Sequence, residues 1–143
     1  MDRDQILAVM SKDTRCCIDR VMEMYGAPYA RFLGIEIESI EQDRVECSLC
    51  IRPELLNSMQ RAHGGAIYVL MDHAFGISAN MSHPCTGQSA EISYYRPASG
   101  KMRAVSVPIN RSRSLEVYDV RAYAENGKLL ASATFTAFVL GGE

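Results

Sequence analysis

Asn57-Ser58-Met59-Gln60-Arg61-Ala62-His63-Gly64-Gly65-Ala66-Ile67-Tyr68-Val69-Leu70-Met71-Asp72 is the stretch on which the fold turns. Two glycines open a segment with no polar face. Ala66 to Met71 is wholly apolar, and beyond Asp72 the residues Ala74, Phe75, Ile77 and Ala79 carry the same character to Met81. A helix over 64–81 that is apolar nearly all round is a buried helix. Gly76 and the alanines would let another backbone come close. The helix start offers unpaired backbone N–H groups, a natural place for an anion. Asp72 is then a carboxylate in greasy surroundings, which is costly unless something pairs with it or uses it. Donors for an oxyanion and a base for water are the two parts that an ester- or thioester-cleaving site requires.

Outward from this helix the period changes to two. Ile35 and Ile37 alternate with Glu36 and Glu38, and Val45, Cys47, Leu49 and Ile51 alternate with polar neighbours. These are half-buried strands joined at Glu41-Gln42-Asp43. After His83-Pro84 the chain reads as strands near 88–96, 101–111, 114–125 and 129–140. Turns are expected at 97–100, 112–114 and 125–127, where Asn126-Gly127 is a strong hairpin signal. His83, before a proline, reads as a surface turn residue. At the N-terminus, Ile6, Met10, Cys17, Val21 and Met24 predict one amphipathic helix over 4–24. Gly26 and Pro28 end it, and a short helical turn follows from Pro28 to Leu33, closed by Gly34. The class is α+β: an antiparallel sheet wrapped around one long central helix.

Length and composition set bounds. The 143 residues suit a single domain, 1–143, with residues 1–26 as a helical extension. Hydrophobic residues form 48% of the chain, enough for a core. A net charge of −2 with no basic block argues against nucleic acid or an anionic membrane surface as partner. No apolar run reaches the ~18–20 residues of a membrane span. No signal peptide is evident at Met1-Asp2-Arg3-Asp4, so a cytoplasmic location is expected. Five cysteines, an odd number, read as reduced thiols. Cys47 and Cys50 point to opposite faces of a strand, and neither they nor Cys16-Cys17 make a metal site. No metal and no cofactor is expected.

The chain resembles the hotdog-fold acyl-CoA thioesterases of the PaaI-like, 4-hydroxybenzoyl-CoA-thioesterase-related group. The resemblance rests on Asn57, His63-Gly64-Gly65, Leu70-Met71-Asp72, Tyr94-Tyr95-Arg96-Pro97-Ala98, and the last strand from Gly127 to Ala131 and Thr134 to Leu140. It covers residues 28–140 and implies hydrolysis of an acyl-CoA thioester to a carboxylic acid and CoA. The backbone N–H of Gly64 or Gly65 would meet the oxyanion, and the resemblance selects Gly64. Asp72 would be general base or nucleophile. Its other reading is a solvent-edge or paired helix aspartate.

Asn57 would hold the water or the carbonyl, or else cap a loop. His63 would act as an acid, or orient the loop through hydrogen bonds. Gly65 would line the acyl side, and so would Met71, Phe75 and Tyr94, which core packing explains equally well. Arg96, Arg111, Ser112 and Arg113 would meet the CoA phosphates, or are solvated surface residues. Relatives carry a Ser or Thr at the start of the strand after the helix. Here that position is Gly87, with Thr86 and Ser89 close by.

Helix rise adds a constraint. Gly64 and Asp72 are eight residues apart, about 12 Å along the axis. One chain cannot bring both to one carbonyl, whereas two antiparallel copies can. The expected assembly is therefore a homodimer, or a dimer of dimers, with shared sites. The alternative is a hotdog module that binds acyl-CoA without turnover, as a sensor or carrier partner. A dehydratase acting on acyl thioesters would need a His–Asp/Glu spacing that this chain lacks.

Overall fold

The computed structural model describes residues 1–141. In chain order the elements are α1 (Arg3–Val9), α2 (Ile18–Tyr25), α3 (Pro28–Leu33), β1 (Glu36–Glu41), β2 (Arg44–Cys50), α4 (Gly64–Asn80), β3 (Cys85–Tyr94), β4 (Lys101–Arg111), β5 (Leu115–Ala124) and β6 (Leu129–Val139). One six-stranded antiparallel sheet has the order β1-β2-β4-β5-β6-β3. It wraps around α4, giving the hotdog fold. Leu70, Met71, Ala74 and Ile77 of α4 are fully buried against Met102, Ala104, Tyr118, Val120 and Ala122 of the sheet. No helix of the described residues is long and apolar enough to cross a membrane.

The expected strands and turns form, with the strand expected near 88–96 running instead from Cys85 to Tyr94. At the β5–β6 hairpin, Gly127 takes φ +82° and the Asn126 side chain accepts from Lys128 N–H at 3.1 Å. The left-handed backbone suits glycine, and the Asn side chain closes the turn.

The N-terminal helix over 4–24 is a miscount. It breaks after Val9, where Met10 becomes extended and bridges Ile40 of β1, and Ser11 N–H donates to Ile40 O at 2.8 Å. Thr14 Oγ1 donates back to Ser11 O at 3.0 Å. Ser, Asp and Thr side chains offer such local bonds in place of helical ones, so helical spacing of the apolar residues did not make a continuous helix. The break has a structural consequence: this segment covers the outer edge of β1.

β3 forms the other edge, and nothing in the described residues covers it. Its ten residues carry one charge, Glu91, and no proline, and most are exposed. Natural edge strands are normally blunted by charge, proline or a covering element. Beside β3, α4 also departs from the all-round burial expected of it. Gly65 and Asp72 are exposed, and Tyr68, Val69, His73, Gly76 and Asn80 are half-buried. Those positions form one stripe at helical spacing.

Candidate active site

The start of α4 is held by its own cap. His63, extended at φ −60° and ψ 138°, accepts from Gly65 N–H on Nδ1 at 2.9 Å. Its carbonyl accepts from Ala66 N–H at 2.9 Å and Ile67 N–H at 3.3 Å. Of the first-turn donors, Gly64 N–H alone has no acceptor among the described residues. His63 thus takes the orienting role and occupies Gly65, which leaves Gly64 as the free donor of the pair. A Cβ on Gly65 would stand 3.0 Å from His63 Nδ1, so that glycine protects the cap. Tyr94 covers Gly64: its OH donates to Gly64 O at 3.2 Å and its ring lies 3.5 Å from where a Cβ would sit.

Asn57 closes the loop leading to this cap. Its Oδ1 accepts from Met59 N–H at 2.9 Å and Arg61 N–H at 3.2 Å, the pattern of an Asx turn. The side-chain amide N–H groups have no acceptor among the described residues.

Asp72 is not sealed in apolar surroundings, as the sequence suggested, but opens to solvent. It makes no hydrogen bond or ion pair among the described residues. Protein atoms still crowd its carboxyl, and this desolvation raises its pKa above the ordinary value. It borders two hollows. One, of about 290 Å³, lies between α4 and β3 and is lined by Tyr68, Phe75, Gly87, Ser89 and Phe135. The other, of about 340 Å³, lies between α4 and α2, with Arg20, Met24 and His73 on its walls. A β-bulge at Gly87/Ser89 leaves Gln88 as the extra residue beside the first hollow. Gly87 faces the Phe75 ring with no hydroxyl, and Ser89 is the nearest replacement lining that hollow. His73 buries Nε2 without a partner, and desolvation lowers its pKa to about 4.

Residues 18–139 match the family described as a domain of unknown function, DUF4442. The chain belongs to that family. It is also a PaaI-like protein of the thioesterase group. The acyl-coenzyme A thioesterase PaaI of Escherichia coli is 27% identical over 116 residues, covering 79% of this chain and 83% of that protein. The 1,4-dihydroxy-2-naphthoyl-CoA hydrolase of the same organism is 26% identical over 117 residues, 76% of this chain and 84% of that protein. A variant of the phenylacetic acid degradation protein PaaI from Thermus thermophilus superposes with a TM-score of 0.76. It is 31% identical, with 79% of this chain and 99% of that chain covered.

In this PaaI-like chain the other expected residues divide. Phe75 lines the β3-side hollow, edge-on to Tyr118 and tilted against Phe135. Met71 does not line it: it is fully buried in the core, because its position on α4 faces the sheet. Arg96 donates to Leu129 O at 2.9 Å, and Ser112 Oγ to Leu115 O at 2.7 Å; both hold turns. Arg111 is not free for phosphate. It lies on the inner face, donates to Asp43 Oδ1 at 2.7 Å and sits over the Tyr118 ring. Arg113 is exposed and without a partner among the described residues. Tyr68, His73 and Gln88 border the site without having been singled out. Tyr68 was findable, since it precedes Asp72 by one helical turn. Gln88 was not, because only the bulge aims it.

Proposed function

We propose that the protein hydrolyses acyl-CoA thioesters to a free carboxylic acid and CoA, in two sites that each need both subunits of a homodimer. The observation that carries this reading is one unpaired donor, Gly64 N–H, and one unpaired carboxylate, Asp72, on the same open stripe of α4 but about 12 Å apart along it. Opposed about a two-fold axis beside β3, two stripes bring Gly64 of one protomer toward Asp72 of its partner. Names of the relatives, an acyl-coenzyme A thioesterase and a naphthoyl-CoA hydrolase, support the reaction class.

Asp72 takes a proton from water as the oxygen adds to the thioester carbonyl. Gly64 N–H and the start of the α4 dipole stabilise the oxyanion. Collapse breaks the C–S bond, and the proton held by Asp72 goes to the departing thiolate. A direct attack by Asp72, with water releasing the resulting anhydride, uses the same two groups. The hollow floored by Phe75, Tyr68 and Phe135 takes the acyl group, and Arg113 meets the CoA phosphates. The test is thiol release over a panel of aromatic, branched and medium-chain acyl-CoA esters, with Asp72→Asn alongside. Turnover of at least one ester that the substitution abolishes is expected. No turnover on any ester, or an undiminished rate in the variant, refutes the reading.

A further inference from the structure

A second cluster lies at the far end of α4. Glu116 of β5 is buried, its side chain 3% exposed, beneath the sheet's inner face. Its Oε2 accepts from Tyr118 OH at 2.5 Å and its Oε1 lies 2.8 Å from His83 Nε2. Cys85 Sγ completes the group: one donor atom each from His83, Cys85 and Glu116 falls within 4.8 Å of the others. Register explains how β5 reaches β3 across β6. Glu116 and Gly87 both pair with Ala137, and two residues with no bulk beyond Cβ leave room for the carboxylate to lie over β6. His83 was expected as a surface turn residue. It does sit in the bend after α4, its side chain 39% exposed, and its ring also reaches this carboxylate.

We propose that His83, Cys85 and Glu116 form a three-ligand site for a divalent transition metal, Zn²⁺ by its chemistry. A thiolate, an imidazole and a carboxylate are the donors that a borderline-soft dication selects over Mg²⁺ or Ca²⁺. The charges balance, since one thiolate and one carboxylate neutralise the dication in a buried setting. Tyr118 orients the carboxylate through Oε2 and leaves Oε1 to the metal, the outer-shell arrangement that ligating carboxylates use. The C-terminus of α4, three residues before His83, adds favourable negative potential. On the His83 side a hollow of about 480 Å³, with His83 and Pro84 on its wall, gives the ion a path to the imidazole. On binding, the Cys85 S–H bond breaks, its proton leaves to solvent, and an S–metal bond forms. Bound metal would clamp the free edge strand β3 to β5.

The test uses the intact protein, stripped with chelator and titrated with Co²⁺. A near-ultraviolet thiolate-to-cobalt band saturating at one ion per chain is expected, and Zn²⁺ should abolish it. Cys85→Ser should lose the band, while Cys16→Ser, Cys17→Ser and Cys50→Ser keep it. His83→Ala should weaken binding at least about tenfold in protein that still melts cooperatively, at a lower temperature because the buried Glu116 loses its 2.8 Å partner. Absence of a saturating band leaves His83–Glu116 a plain ion pair and overturns the proposal. So does a band that survives Cys85→Ser.

Discussion

Gly64→Pro removes one hydrogen-bond donor and little else. The Gly64 N–H has no acceptor among the described residues, so its loss leaves no carbonyl unpaired. The position is the first of α4, where proline is favoured. His63 at ψ 138° already has the conformation that a following proline demands. A Cβ there meets Tyr94 at 3.5 Å, an ordinary contact. Stability should therefore change by less than about 1 kcal/mol. Turnover should fall by about 10²–10³, the usual consequence of deleting an oxyanion donor. Asp72→Asn should be inactive as well.

The two variants together test the geometry. Co-expressed with different tags and purified through both, a Gly64→Pro/Asp72→Asn heterodimer carries one site with both defects and one with neither. Thiol release from an acyl-CoA ester should then return to about half the wild-type rate per dimer. The five thiols are free, so the assay needs the protein's own reaction with the trap subtracted. A heterodimer as inactive as its parents would place donor and base within one subunit, and the helix-rise argument would be wrong. Full activity in the Gly64→Pro homodimer would remove Gly64 from the chemistry.

Other substitutions separate function from structure. Because Asp72 has a raised pKa, the acid limb of the pH–rate profile should lie above the usual carboxylate range. The same shift makes folding favour the protonated form, stability that is lost as pH rises through the folded-state pKa, so Asp72→Asn should melt higher than wild type at pH 7. His73 works in the opposite sense. Its pKa of about 4 means that folding favours the neutral ring, so stability is lost as pH falls below the ordinary histidine value toward 4, on the order of 1–3 kcal/mol. His73→Leu should flatten the melting-point profile between pH 7 and 4, and an unchanged slope would refute the assignment. Arg113→Ala should raise KM for CoA esters with the melting point unmoved. Arg111→Ala should instead lower stability by about 0.5–1 kcal/mol, through its lost ion pair with Asp43 and its place over the Tyr118 ring, and calorimetry distinguishes the two.

The fold was legible because period-two and all-apolar segments leave few alternatives. The runs around Ile37, Cys47 and Phe135 alternate, and Asn126-Gly127 names its own turn. What escaped was decided by competition between local and distant bonds. Met10 has helical spacing with Ile6, yet its backbone pairs with Ile40, thirty residues on. Met71 and Phe75 are both apolar residues on α4, and only the sheet's position makes one core and the other pocket wall. Arg111 and Arg113 look alike in sequence, but the bulge at Pro108/Asn110 turns Arg111 inward onto Tyr118.

The motif residues were legible as a set. Their orphaned state was not, and that state bears most on assembly. Within one chain, Gly64 N–H and the Asp72 carboxylate lack partners among the described residues, and β3 presents an uncovered ten-residue edge beside them. An unmet helix-start donor favours a partner that supplies an acceptor, and a bare, nearly uncharged edge invites pairing. The other edge, at β1, is covered by Met10 and Ser11, so the fold does protect an edge when the chain itself must do so. A stripe of unmet donors and acceptors concentrated on one face, with the opposite edge sealed, is what a surface awaiting a second copy should look like. Sedimentation tests this directly. A chain that stays monomeric at assay concentration while turning over acyl-CoA would separate the open edge from the chemistry and require a wholly intramolecular site.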